Sequence, residues 1–236
     1  MGIGYGLAAR RSIGAGLARG VSAGGADTWW DNNGAIASAV GAWAGKSAAS
    51  FAASLLDLSG NGNNLSDGVT PAWDTGVGWT FNGSTTYLVS SLIPAQDQTW
   101  TMLVQFSGAG NNDVLAGCNR SVTTGTFFLV PYSAAGGLRS YRHGQQANVS
   151  GGVTSGNFGF AGNQGYLNGS ADGGAIPGFV GDQSLIPGIA VGARHSYGTP
   201  NTFRDFLDGT IQAVAVYNAT LNVAEVAAVA TAMVAL

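Results

Sequence analysis

The chain has 236 residues, 45% of them hydrophobic, enough to bury a sizeable core and to exclude a globally disordered protein. Charged residues make up only 9% and the net charge is −3, so nucleic acid is not an expected partner. The lone Cys118 excludes an intramolecular disulfide framework, and no stretch reaches the roughly 18 apolar residues of a membrane span.

Composition also speaks to secondary structure. The 39 glycines follow no three-residue period, which excludes collagen and fits many tight turns. Every acid but Glu225 is aspartate, and Lys46 is the only lysine. Aspartate favours turns and caps, whereas glutamate and lysine favour helix surfaces, so the bias argues for strands joined by loops. So little charge on so many small residues points to a surface covered by neighbours, and therefore to a homo-oligomer.

In chain order, residues 1–33 read as an irregular, Gly/Ala-rich arm, and residues 34–236 as one folded domain. The arm carries Arg10, Arg11 and Arg19 with no acid before Asp27, a basic device for docking on an acidic neighbour. Trp29 and Trp30 are too costly to leave in water and are expected to bury on the body or on a partner chain. These five are the candidate partner-binding residues. The start reads as no signal peptide, because its arginines follow the first apolar residues.

Residues 34–44 fit either a strand or a helix. Residues 40–47, Val-Gly-Ala-Trp-Ala-Gly-Lys-Ser, lack the first glycine of a phosphate-binding loop. A short helix is predicted over 47–56, capped by Ser47, with Phe51 and Leu55 one turn apart on one face. The polar cluster 57–64 follows. Asp57, Asn61 and Asn63 are the candidate metal residues here, an oxygen donor set suited to calcium. The same residues close Asx turns, which is the preferred reading, and no other cofactor is indicated.

Asn82-Gly83, between the apolar runs at 79–81 and 87–89, predicts a type I′ β-hairpin. Residues 99–106 alternate cleanly, with Trp100, Met102, Val104 and Phe106 on the buried side. Further strands are expected at 112–118, 126–132, 137–143, 145–153, 157–160, 164–167, 188–194 and 209–217. Many short strands at this spacing mean a sandwich or a barrel. A last helix starts at Asn222, with Glu225 completing a capping box and Val223, Val226, Ala227, Ala230 and Met233 as its apolar stripe. It is expected to close one edge or end of the sandwich.

Together these pieces resemble a family. They are Asp57-Leu-Ser-Gly-Asn-Gly-Asn63, Trp79-Thr-Phe-Asn-Gly-Ser84 with Tyr87-Leu88, Gly165-Tyr-Leu-Asn-Gly169, Val191-Gly192, the run from Leu207 to Asn218, and Leu221-Asn-Val-Ala-Glu225. The sequence over about residues 36–236 is similar to the laminin-G-like, concanavalin A-like domains. Lys46-Ser-Ala-Ala-Ser-Phe-Ala-Ala-Ser54 and Pro71-Ala-Trp73 narrow the likeness to those of tailed bacteriophages. The resemblance implies an all-β fold: a two-sheet antiparallel jelly-roll sandwich with a short helix near 47–56, a C-terminal helix and an irregular N-terminal arm. It also implies a virion structural protein, a head decoration or a tail or fibre module on the particle surface. Its arm would bind other virion proteins, and its body would touch host-surface glycan. The alternatives are a free carbohydrate-binding lectin-like module and a glycan hydrolase.

Glycanases of this group carry paired acids at alternate positions of one strand, and a retaining mechanism needs two carboxylates about 5–5.5 Å apart. No strand here carries two acids two residues apart, so the sequence is read as that of no enzyme. His143 and His195 read as exposed loop or strand-end residues. Trp73, Tyr132, Tyr141 and Tyr197 are candidate sugar platforms, with Arg142, Asn163, Gln164 and Arg194 nearby in sequence. Each is equally an ordinary packing residue.

Overall fold

The structure is a computed structural model that describes residues 28–32, 34, 36, 39–95, 98–120, 125–133, 137–178, 187–198 and 202–236. Arg10, Arg11 and Arg19 lie outside the described residues.

The elements run in order as β1 (Ala39–Ala44), α1 (Phe51–Ser54), β2 (Leu65–Val69), β3 (Ala72–Asp74), β4 (Gly78–Asn82), β5 (Tyr87–Ser90), β6 (Thr101–Ser107) and β7 (Ala116–Asn119). There follow β8 (Thr126–Ser133), β9 (Leu138–Ser150), β10 (Ser155–Ala161), β11 (Gln164–Leu167), β12 (Ser170–Asp172), β13 (Ala190–Val191), β14 (Arg194–Ser196), β15 (Thr202–Arg204), β16 (Asp208–Tyr217) and α2 (Val223–Val234). The strands form two eight-stranded sheets. The first is ordered β12-β11-β10-β6-β16-β4-β3, with β1 also on β16. The second is ordered β15-β14-β7-β13-β5-β2, with β8 and β9 continuing from β7. All pairings are antiparallel except β14 with β7. The all-β sandwich expected from the sequence is therefore present, with both expected helices.

The two sheets face each other across one core. Trp43, Trp79, Phe81, Met102, Val104, Phe106, Phe158 and Phe160 enter it from the first sheet. Leu65, Leu88, Cys118, Phe127, Leu129, Tyr141 and Val191 enter from the second. Burial pushes the Cys118 thiol well above its ordinary pKa, which leaves it a small core hydrophobe.

Three local expectations change. Asn82-Gly83 does not close a hairpin: β4 pairs with β3 and β16, whereas β5 pairs with β2 and β13, so the chain crosses between the sheets here. A type I′ turn needs positive φ at both central residues, and only Gly83 has it. The Asn82 side-chain oxygen instead accepts from the backbone N–H groups of Ser84, Thr85 and Thr86, which shapes an arch. A side chain at Gly83 would meet Asp208 Cβ at 2.9 Å, so the arch also packs closely on the start of β16.

The short helix is capped by Ser50, whose hydroxyl accepts from the Ala53 N–H. Ser47 sits outside it at φ +65°, its hydroxyl donating to the Leu236 carbonyl. Its left-handed backbone and its contact with the far end of the chain remove it from the cap. Leu138–Ser150 form one long strand, β9, where two were expected over 137–143 and 145–153, because Gly144 stays within the ladder opposite Thr126.

The C-terminal helix keeps its predicted capping box. It lies across the outer face of the first sheet instead of closing an edge. The reason is that β16 is apolar on both faces and β6 adds Leu103 to the outer one. A bulge between Ile211 and Ala213 turns Ile211, Val214 and Val216 to the core and leaves Ala213, Ala215 and Tyr217 outside. With Leu103 these form the apolar floor for Val226, Val229 and Met233. Val223, placed in the apolar stripe from sequence, is exposed, and Val229 takes a buried position. Trp29 and Trp30 join the same cluster, their rings edge to face at 5.7 Å, and the Tyr217 hydroxyl donates to the Trp30 carbonyl at 2.6 Å. The structure thus places both tryptophans on the body of their own chain.

Candidate functional site

The outer face of the first sheet is covered by helix and tryptophans. The outer face of the second carries a cleft of about 290 Å³. Its floor is Phe128 and Val130 of β8, which form a small apolar cluster with Val114 apart from the main core. Strand alternation puts them there: Phe127 and Leu129 point into the core, so Phe128 and Val130 point out. On β9 the same alternation sends Tyr141 and His143 inward and Ser140 and Arg142 to the cleft.

Register completes the site. Arg142 stands directly across from Phe128, and its guanidinium carbon lies 5.0 Å from the ring centroid. On the other side Phe128 faces Gly117 of β7. A Cβ at Gly117 would sit 2.4 Å from Phe128 Cβ and 2.1 Å from the Phe127 carbonyl oxygen, at φ +138°, so only glycine serves. Across that gap Arg194 of β14 places its guanidinium 5.3 Å from the same ring. Phe128 therefore lies against two arginines, a pair of cation–π contacts. Arg194 also pairs with Asp205 at 2.8 Å.

The wall along β9 is neutral and polar. Ser140 donates to the Asn148 side-chain oxygen, and so does the Gln146 amide. Asn112 and Asp205, on the opposite rim, hold left-handed backbones at φ +62° and +53°. Both are fixed by hydrogen bonds, Asn112 N–H to the Tyr132 carbonyl at 2.8 Å and Val114 N–H to the Asp205 carbonyl at 2.9 Å. Burial pushes Arg142 down to about 10, with the charge of Arg194 adding to the shift and Asp205 opposing it. Burial also lowers Arg194, against the pull of Asp205. The cleft thus sets arginine, amide and hydroxyl donors and one carboxylate around a rim fixed by hydrogen bonds, above the apolar pair Phe128 and Val130.

The other candidates fall elsewhere. Asp57, Asn61 and Asn63 lie in one turn. The Asp57 carboxylate accepts from the N–H groups of Ala42, Ser59 and Asn63, at 3.0 to 3.1 Å, and from the Ser59 hydroxyl at 2.6 Å. The amides of Asn61 and Asn63 donate to the Ala39 and Val40 carbonyls at 2.8 and 2.6 Å. These bonds tie the turn to β1, and among the described residues no group of three His, Cys, Asp or Glu could share a metal ion. His143 and His195 are not exposed. His143 is buried, stacked on Phe160 at 4.7 Å with Nδ1 2.8 Å from the Gly162 carbonyl oxygen. His195 is buried against Phe203 at 4.4 Å, and desolvation lowers its pKa. Their aromatic partners, Phe160 and Phe203, come from other strands, and contacts between strands are not read from the residues beside each histidine.

Of the sugar platforms, Tyr141 is core and Trp73 packs against it with its indole N–H on the Gly45 carbonyl. Tyr132 is half-buried and Tyr197 exposed. Arg142 and Arg194 are the two residues of that group that the structure brings together in the cleft. Phe128 and Asp205 were not singled out from sequence. Gly117 and the cross-strand register that align them leave no local signal.

Two solved structures share this fold. Domain 4 of a GH43 extracellular arabinanase from Geobacillus stearothermophilus, in complex with arabinotriose, aligns with a TM-score of 0.54 at 14% identity, over 82% of this chain and 98% of that one. Trypanosoma rangeli sialidase, in complex with sialic acid, aligns with a TM-score of 0.53 at 16% identity, over 80% of this chain but only 32% of the sialidase. No protein-family model matches the sequence, and no curated protein matches it. These neighbours overturn the reading of the sequence as that of no enzyme. They are an arabinanase domain and a sialidase, so the sandwich is one that glycosidases carry. Among the described residues no helix is long and apolar enough to cross a membrane.

Proposed function

We propose that the chain is a glycan-binding β-sandwich module and that the cleft over Phe128 is its saccharide site. One observation carries this reading: the cleft brings two arginines, a carboxylate, side-chain amides and hydroxyls together on a rigid sheet, the arginines braced against the buried ring of Phe128. Planar and charged groups of that kind recognise the fixed hydroxyl pattern of a sugar ring. The arabinanase domain supports it, because a similar fold was solved with arabinotriose.

The fold's place among glycosidases makes catalysis part of the test. The purified chain is titrated calorimetrically with arabino-, gluco- and sialyl-oligosaccharides, and the same mixtures are assayed for release of reducing sugar. The expected outcome is saturable binding of at least one oligosaccharide, weakened about tenfold or more in Asn148→Ala, which removes a rim amide. No binding by any oligosaccharide overturns the reading.

A virion setting is compatible with this module, supported by the bacteriophage-like stretches at 46–54 and 71–73 and by the 9% charge. There the chain would be a jelly-roll head or tail component, self-associated and attached through its basic residues 1–33. The cleft would hold glycan of the host surface. Locating the chain in purified particles by electron microscopy tests that setting.

A further inference from the structure

We propose that Asn61 is a modification site, where slow spontaneous deamidation converts the side chain to aspartate or isoaspartate and loosens the start of β1.

In this reaction the backbone nitrogen of the next residue gives up its proton to hydroxide and attacks the asparagine Cγ. A C–N bond forms, the bond from Cγ to the side-chain nitrogen breaks, and that nitrogen leaves as ammonia. Water then opens the cyclic imide at either carbonyl. Glycine in the next position favours the attack because it has no Cβ to hinder it. Hydrogen bonds that fix the attacking nitrogen or the asparagine carbonyl must first break, so they slow it.

Three Asn-Gly pairs lie within the described residues: Asn61-Gly62, Asn82-Gly83 and Asn168-Gly169. The fold locks two of them. The Asn82 side-chain oxygen accepts three backbone N–H groups, and the attacking nitrogen of Gly83 is itself bonded to the Leu207 carbonyl at 2.8 Å. The Asn168 side-chain oxygen accepts from the Asn157 N–H at 2.9 Å and fits over Gly156, where a Cβ would lie 2.5 Å from it. Gly169 is buried, and a Cβ on it would lie 3.1 Å from Ala227 Cα.

Asn61-Gly62 is held by neither kind of contact. Both residues are exposed, and nothing lies within 4 Å of a Cβ placed on Gly62. Neither the Gly62 N–H nor the Asn61 side-chain oxygen bonds to a described residue. The Asn61 amide nitrogen donates to the Ala39 carbonyl at 2.8 Å and to the Ser59 hydroxyl at 3.0 Å, exposed bonds that water replaces at little cost.

Conversion removes both donations. A carboxylate in that place turns an acceptor toward the Ala39 carbonyl and adds a second negative charge to the turn that holds Asp57. Ala39 opens β1 opposite Tyr217, whose hydroxyl holds the Trp30 carbonyl. The strand end that loosens is therefore the one beside the docked tryptophans. Asn63 still holds the Val40 carbonyl, which keeps the change local.

The test ages the chain at mildly alkaline pH, folded and in urea, and locates the gain of one mass unit by tandem mass spectrometry. In the folded chain Asn61 is expected to convert about tenfold or more faster than Asn82 and Asn168, the factor that two ordinary hydrogen bonds supply. In urea the three rates are expected to converge, since each asparagine then precedes glycine in an open chain. Asn61 no faster than the others when folded, or a lead that persists in urea, overturns the assignment. Asn61→Asp carries the product side chain, and its backbone amides at 39–42 are expected to exchange hydrogen about fivefold faster than in wild type, the worth of one hydrogen bond. Unchanged exchange overturns the loosening of β1. If Asn61→Asp does not fold, the same exchange is read on wild-type chain aged to partial conversion, with the same two outcomes.

Discussion

Trp79→Ala is expected to lower the unfolding free energy by about 4 kcal/mol, the largest single loss in the sandwich. Trp79 is fully buried between the sheets, on β4 beside β16. Its indole N–H donates to the Ser54 hydroxyl at 2.9 Å, and that hydroxyl donates in turn to the Phe51 carbonyl at 2.7 Å. One side chain therefore fills the core centre and anchors α1. Alanine leaves a cavity that a sheet on each side cannot collapse to fill. Trp79→Phe keeps most of the volume and loses only the hydrogen bond, so about 1–2 kcal/mol is expected. Urea unfolding with an unchanged m-value measures both. A loss below about 1 kcal/mol in the alanine variant would contradict the packing described, since domains of this kind hold only about 5–15 kcal/mol in total.

Asp172→Asn is expected to cost about 2–3 kcal/mol at neutral pH, and less on acidification. Asp172 ends β12 of the first sheet and is grasped by two residues of β9 in the second. Arg139 meets it with Nε to Oδ2 and Nη2 to Oδ1, each at 2.5 Å, and the Tyr141 hydroxyl donates to Oδ2. Arg139 also donates to the Ser150 carbonyl at 2.8 Å. The cluster clasps the two sheets at one end. Asparagine has the same shape but no charge, and it turns an N–H₂ toward donors. Breaking a buried pair costs about 3–5 kcal/mol, and partial exposure here (11% and 13% of the two side chains) lowers that figure.

The pH dependence has a definite sign. The hydrogen bond from Arg139 holds the Asp172 carboxyl below its ordinary value, with burial opposing and Tyr141 assisting. A depressed carboxylate stabilises the fold fully above its unfolded pKa of about 3.9 and loses that contribution as pH falls through the folded value. The gap between wild type and Asp172→Asn is therefore constant near neutrality and narrows below about pH 4. Denaturation curves from pH 7 to pH 3 check this, and a gap that stays constant or widens toward pH 3 would contradict it.

Much of the fold was legible because its signals are local. The alternation at 99–106, the strand at 209–217 and the Asn222–Glu225 box each depend on residues close in sequence, and each is present. What failed was long-range. Asn82-Gly83 is a true turn signal, but a turn says nothing about whether the flanking strands share a sheet, and here they do not. The strand β6 reads as half-buried because Leu103 sits among threonines and a glutamine. It is buried on both faces because α2, more than a hundred residues on, covers it. The cleft was partly legible. Arg142 and Arg194 stand out as rare charges beside aromatic residues, whereas their meeting over Phe128 depends on a register between β8 and β9 and on the missing side chain at Gly117. The acidic turn at Asp57 attracted attention by composition, and its hydrogen bonds make it a tie between the turn and β1.

The central claim is that the outer cleft of the second sheet is where glycan binds. Backbone and arginine side-chain resonances, followed while the best-binding oligosaccharide is titrated in, test it most directly. The account predicts shifts concentrated at Ser140, Arg142, Asn148, Arg194 and Asp205, with the outer face of the first sheet silent. Shifts centred instead on Trp73 and Tyr197, or on the turn at Asp57, Asn61 and Asn63, with the cleft unmoved, would contradict it.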